Sequence, residues 1–170
     1  MIERNLVAIE PKSFVEYETA VAGAGAQVAK LDANVGALIW TDYSQPAALA
    51  NLLAENPQLE WVQLPFAGVD AFASVLQNPV VFTSAKGAYR EPVAEHALAL
   101  CLALARKLPE RVVAKSWGKK FAVSLYDSHV LIVGGGGIAE ELVSLLAPFK
   151  CRVTVVRKHT AAIEGATETV

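Results

Sequence analysis

Four consecutive glycines, Gly134–Gly137, separate an apolar run from a segment of helical periodicity, in HVLIVGGGGIAEELVSLLAPF from His129 to Phe149. A strand that must turn at once into a helix needs backbone freedom at the junction, and glycine supplies it. Residues Gly134–Ala139 fit the pattern G-x-G-x-x-A. In that pattern Gly134 makes the tight turn, Gly136 lets the backbone approach a pyrophosphate, and Ala139 keeps helix and strand close. Gly137 and Ile138 open the helix, where N–H groups and the positive helix end face an anion. The expectation is a nucleotide-binding turn at Gly134, Gly136, Gly137 and Ile138. The plainer alternative is an ordinary strand-to-helix connection.

The end of the next strand discriminates between coenzymes. A site for NAD places a carboxylate there to hold the ribose 2′-hydroxyl, whereas a site for NADP places a cation against the 2′-phosphate. Arg157 stands 23 positions after Gly134 and is followed by Lys158 and His159, with no acidic residue before Glu164. A guanidinium grips a phosphate with paired N–H bonds, and a carboxylate would repel it. Arg157 and Lys158 therefore favour NADP(H), with NAD(H) possible. The alternative is a basic strand end that only faces water.

Upstream, short apolar runs alternate with helix-like segments. LVAIE (Leu6–Glu10), QVAKL, ALIWT (Ala37–Thr41), LEWVQLP and VVFTS (Val80–Ser84) read as strands. SFVEYETAVAGAG, PAALANLLAEN and GVDAFASVLQ read as helices between them. Such alternation predicts an α/β fold with a parallel sheet, and unbroken apolar runs fit strands covered on both faces. From Glu91 to Lys115 the pattern reads as one long helix, apolar on every side at its middle. That predicts burial between domains or against a second subunit. Residues 116–128 read as a loop, and RVTVV as a second strand after the glycine turn, with the chain closing soon after it.

Composition narrows the partners. The chain has 170 residues, 54% of them hydrophobic, and a net charge of −2. Neither a nucleic-acid surface nor an anionic-membrane surface is expected from that balance. The longest apolar run, Ala97–Ala105, is far shorter than the roughly 20 residues that span a bilayer. MIERNLVAIEP lacks the long apolar stretch of an export signal, so none is expected. Cys101 and Cys151 have no metal-ligand or paired spacing, and a reduced, cytoplasmic protein is the simplest expectation.

Three segments in order, LEWVQLPFAGVDAF, VVFTSAKGAYREPVAEHALALCLALARKLPE and VLIVGGGGIAEELVSLLAPFKCRVTVVRK, resemble the D-isomer-specific 2-hydroxyacid dehydrogenases. The resemblance covers about Leu59 to Lys158, and the basic strand end is similar to the NADPH-using glyoxylate/hydroxypyruvate reductase type. It implies a flavodoxin-like substrate domain over residues 1–90, a long helix and linking arm over 91–128, and the start of a Rossmann coenzyme domain over 129–170. It also implies an active site in the cleft between the domains and a homodimer held largely by the 91–115 helix and the arm. A small 2-oxo acid would meet the AGVD turn, with Ala67, Gly68 and Val69 offering N–H groups to its carboxylate and Phe66 shaping the wall. Val93 aligns with a position near the nicotinamide. Lys86 and Arg90 flank the implied cleft and could attract an acid substrate; the favoured expectation is that they are solvated loop charges. His96 is expected to be a buried, hydrogen-bonded histidine beside Glu95, and Asp70 to cap a short helix.

Two departures bear on activity. LYDSHV, with Asp127 and Ser128, stands where the family usually has Leu-x-Gly-Lys. The family's catalytic Arg, Glu and His lie well past the second Rossmann strand, and no residue here matches them. The helix that returns to complete the substrate domain has no counterpart either. The chain alone is thus expected to be inactive. Competing expectations are a non-catalytic nucleotide-binding or dimerisation module, and another Rossmann user such as a methyltransferase, which Arg157 disfavours.

Overall fold

Every apolar run expected to be a strand pairs in parallel in the computed structural model, which describes residues 3–119, 121–159 and 161–170. The chain divides into two compact units, Met1–Lys86 and Gly87–Val170.

The first unit holds β1 (Glu3–Glu10), α1 (Val15–Gly23), β2 (Gln27–Val28), β3 (Val35–Trp40), α2 (Pro46–Glu55), β4 (Trp61–Gln63) and β5 (Val81–Thr83). All pairings are parallel and the spatial order is β2-β1-β3-β4-β5. That is the flavodoxin-like order. Side chains of a strand alternate between faces, and this splits the apolar runs in two. Ala8, Leu38, Trp40, Val62 and Leu64 meet Leu49 and Leu53 of α2 together with Phe72 and Val75. Val7 and Ile9 take the other face with Val21 of α1. Pro46 occupies the first turn of α2, where its missing N–H costs nothing. On the α1 side an open groove of about 530 Å³ is lined by Leu6, Val7, Val21, Ala37, Ile39 and Trp61, among others.

The stretch GVDAFASVLQ departs from the expected helix. It forms two 3₁₀ turns, Asp70–Phe72 and Val75–Gln77, each anchored by one buried apolar residue. A single apolar contact per turn does not sustain the hydrogen-bond ladder of a longer helix.

The second unit holds α3 (Arg90–Ala105), α4 (Leu108–Val112), β6 (His129–Val133), α5 (Gly137–Leu146), β7 (Arg152–Val156) and β8 (Glu168–Thr169). β8 is a third strand beyond the two expected, so the parallel order is β6-β7-β8. Register runs from His129 opposite Arg152 to Val133 opposite Val156. Leu142, Val143 and Leu146 of α5 pack with Ala94 of α3 and with Val153 and Val155 of β7. β6 alternates instead of being covered on both faces: Val130 and Ile132 join this core, while Val133 is 82% exposed.

The long helix expected over 91–115 is broken. α3 closes with Arg106 N–H donating to the Leu102 carbonyl and Lys107 N–H to the Leu104 carbonyl, both at 3.0 Å. Lys107 is left-handed at φ 52°, and α4 restarts with Pro109 in its first turn. Proline has no N–H to donate and its ring collides with the carbonyl four residues back, here Ala105. Within the single chain Ala94 is buried, whereas Leu100, Leu104, Leu108 and Val112 are exposed.

Leu38 is fully buried at the centre of the first unit. Leu38→Ala is expected to destabilise that unit by about 2–5 kcal/mol, read as a lower urea midpoint with the slope unchanged. Val81→Ala, at an exposed position, is expected to shift it by less than about 1 kcal/mol.

Candidate functional site

The glycine run leaves β6 through Gly134, whose φ of +102° is open only to glycine at low cost. Its N–H donates to the Val156 carbonyl at 2.8 Å, tying the turn to the end of β7. Gly136 is the extended N-cap of α5, and its carbonyl accepts from the N–H groups of Ala139 (2.9 Å) and Glu140 (3.1 Å). A Cβ added at Gly136 would meet open space. The opening N–H groups of α5, at Gly137 and Ile138, lack acceptors within the helix and lie at its positive end. Ala139 is buried against the unit's core, the close approach that the pattern requires.

The two remaining glycines have local reasons. A Cβ at Gly135 would stand 2.6 Å from Cδ and 2.8 Å from Nε of Arg157. A Cβ at Gly137 would stand 3.0 Å from Cδ of Arg90. Arg157 is thus brought onto the turn from the end of β7, half-buried, with its N–H donating to the Val170 carbonyl at 2.7 Å. Lys158 and His159 beside it are exposed.

Arg90 belongs to the first turn of α3 rather than to a loop. Its stem lies against Gly137 and its Nε is 3.6 Å from Glu141 Oε2. The pair is partly exposed and contributes little stability. Val93, three residues on, is 41% exposed. His96 and Glu95 are both exposed, and among the described residues the His96 side chain makes no hydrogen bond. The expected buried histidine is corrected accordingly: α3 turns Ala94, Ala97 and Leu98 toward α5, which leaves position 96 facing outward.

In the first unit, β4 ends in Gln63 and runs into the turn at Phe66–Val69. The Thr83 hydroxyl donates to Gln63 Oε1 at 2.7 Å, and Gln63 Nε2 donates to the Leu64 carbonyl at 2.7 Å. Ala85 N–H donates to the Phe66 carbonyl at 3.1 Å, so β5 continues to hold the chain past the last ladder pair. The Phe66 ring lies 5.3 Å from that of Tyr43. Ala67 and Gly68 are exposed, and Val69 is half-buried against the core. Among the described residues no hydrogen bond takes up the N–H groups of Ala67, Gly68 or Val69. Asp70 makes no side-chain cap, contrary to expectation; it starts a 3₁₀ turn behind Val69. No sequence pattern marks Tyr43, Gln63 or Thr83. Their role is visible only once the parallel order lays three strand ends side by side.

Residues 121–170 match a family model described as "Putative NAD(P)-binding". A curated relative from Corynebacterium melassecola, named as an uncharacterized protein in the proB 3′ region, is 34% identical over 125 residues, 69% of this chain and 40% of the relative. A D-isomer-specific 2-hydroxyacid dehydrogenase family protein from Aeromonas salmonicida superposes with TM-score 0.79 at 20% identity, covering 99% of this chain and 58% of that one. An NADPH-dependent glyoxylate/hydroxypyruvate reductase from Sinorhizobium meliloti, solved with NADP and sulfate, superposes with TM-score 0.74 at 22% identity, covering 98% and 56%. The chain therefore has the fold of the D-isomer-specific 2-hydroxyacid dehydrogenases over nearly all its length. It spans less than three-fifths of those two structures and two-fifths of the curated relative.

The glycines separate by what they do. Gly134→Ala, at positive φ, is expected to cost about 1–2 kcal/mol of stability. Gly136→Ala, at an extended N-cap with open space, is expected to cost less than about 1 kcal/mol. Thermal melts of both variants measure the difference; equal losses would contradict the geometry.

Proposed function

We propose that this chain carries the substrate-turn and coenzyme-turn parts of an NADP(H)-preferring 2-hydroxyacid dehydrogenase. The observation that carries the reading is Arg157 lying on the glycine turn at the start of α5. Bound there, the coenzyme supplies a hydride that passes between its nicotinamide and C2 of a small 2-oxo or 2-hydroxy acid. Gly134 shapes the turn, Gly136–Ile138 offer N–H groups to the pyrophosphate, and Arg157 with Lys158 meets the 2′-phosphate, so NADPH is favoured and NADH remains usable. Val93 would stand near the nicotinamide. Ala67, Gly68 and Val69 offer unclaimed N–H groups to the substrate carboxylate, with Phe66 and its neighbour Tyr43 as the wall.

The remaining assignments extend the same reading. Residues 1–90, 91–128 and 129–170 act as substrate domain, dimerising helix and arm, and coenzyme domain. The exposed Leu100, Leu104, Leu108 and Val112 form part of a homodimer surface. In the whole protein a returning helix would cover the groove beside α1. Among the described residues no helix is long and apolar enough to cross a membrane. The protein acts in the cytoplasm, without nucleic-acid or membrane partners. Because the family's acid–base and carbonyl-polarising groups have no match in these residues, the chain alone binds but does not turn over.

Titration of NADPH and NADH tests the coenzyme half. Wild type is expected to bind NADPH at least about tenfold more tightly, and Arg157→Asp to lose that preference, as loss of a charge-assisted bond predicts. An unchanged preference in Arg157→Asp rejects the assignment. With glyoxylate or hydroxypyruvate the isolated chain is expected to oxidise no NADPH above the rate without protein; turnover would mean that another residue here is catalytic.

A further inference from the structure

The pattern G-x-G-x-x-A leaves its second position open to any residue, yet position 135 is glycine. Helix packing does not explain it, and its φ is not in the left-handed range. What occupies the space is the Arg157 side chain, with Cδ, Nε and Cβ at 2.6, 2.8 and 3.1 Å from where a Cβ at 135 would be. No real Cβ tolerates such approaches to Cδ and Nε. Arg157 makes no ion pair among the described residues, so its guanidinium donors are not committed to a carboxylate.

We propose that Gly135 is a coenzyme-specificity position: the absent Cβ is the seat in which the Arg157 stem lies, and this seat aims the guanidinium at a 2′-phosphate. The inference rests on the NADP(H) reading above and deepens it. Arg157 alone is not sufficient. A long side chain free to sample many rotamers loses much of the benefit of a charge-assisted bond to the entropy of ordering it, and the seat orders it beforehand. The two closest clashing atoms, Cδ and Nε, swing away by rotation about the side-chain bonds of Arg157, and Cβ at 3.1 Å need give by only a few tenths of an ångström. A methyl at 135 therefore displaces the guanidinium at little cost to folding, and it removes discrimination without removing the phosphate turn.

The test uses the 170-residue chain and two fragments of the coenzyme's adenosine half, adenosine 2′,5′-bisphosphate and adenosine 5′-monophosphate, titrated by calorimetry. Wild type is expected to bind the bisphosphate at least about tenfold more tightly. Gly135→Ala is expected to lose about tenfold for the bisphosphate while the monophosphate stays within about twofold. Arg157→Ala should do the same, and the double variant should lose nothing further, because both changes remove one interaction. If wild type does not prefer the bisphosphate, the NADP(H) reading and this inference both fail. If wild type prefers it and Gly135→Ala does too, only the inference fails. A loss shared equally by both ligands assigns Gly135 to the common phosphate turn and also overturns it. Should Gly135→Ala not fold, the NMR signal of Arg157 Nε–H in wild type decides. A seated arginine gives a resolved, exchange-protected signal, and a signal at the free-arginine position overturns the proposal.

Discussion

Parallel pairing is the constraint from which the rest of this structure follows. Neighbouring strands in both sheets run the same way, so each connection must cross back over a face before the next strand begins. The crossings bring α1, α2 and α5 onto the sheets and supply the apolar cover that buried strands need. They also gather the loops after the strands at one edge of each sheet, the edge where α/β proteins bind ligands. In the second unit that edge carries the glycine turn after β6 and Arg157 after β7. In the first it carries Tyr43 after β3, Phe66–Val69 after β4 and Ala85 after β5. Neither constellation is contiguous in sequence.

How much of this the sequence discloses depends on the range of the interaction. Strand positions were legible because an unbroken run such as VLIV or RVTVV has few other places to go. The turn at Gly134 was legible because positive φ is a local demand. The break at Lys107 was legible in principle: Pro109 announces it, but the apolar periodicity of ALALCLALA on one side and LPERVV on the other runs straight across and conceals it. The outward placement of His96 was not legible, since it depends on which face of α3 meets α5. β8 was hidden by its brevity, its pairing with β7 being confined to Thr154–Glu168 and Val155–Thr169.

The candidate sites follow the same division. Gly134, Gly136, Ala139 and Arg157 could be chosen from pattern and spacing, since each satisfies a rule about turns or strand ends. Gly135 could not, because its reason is a contact with a residue 22 positions later. Gln63 and Thr83 were equally silent: only the register that sets Gln63 opposite Thr83 places an amide beside a hydroxyl. Local backbone demands leave a mark on the residue that bears them. Contacts between strand ends mark neither partner alone.

The apolar residues left uncovered on α3 and α4 have a thermodynamic consequence. Leu104 is 70% exposed and Val112 82%. Exposed apolar side chains grouped on one segment offer a surface that a partner can cover. Anything that covers it binds the folded chain and not the unfolded one, which shifts the folding equilibrium by mass action. Were a partner to cover it, the melting temperature would no longer be a constant of the sequence: it would rise with the concentration of that partner.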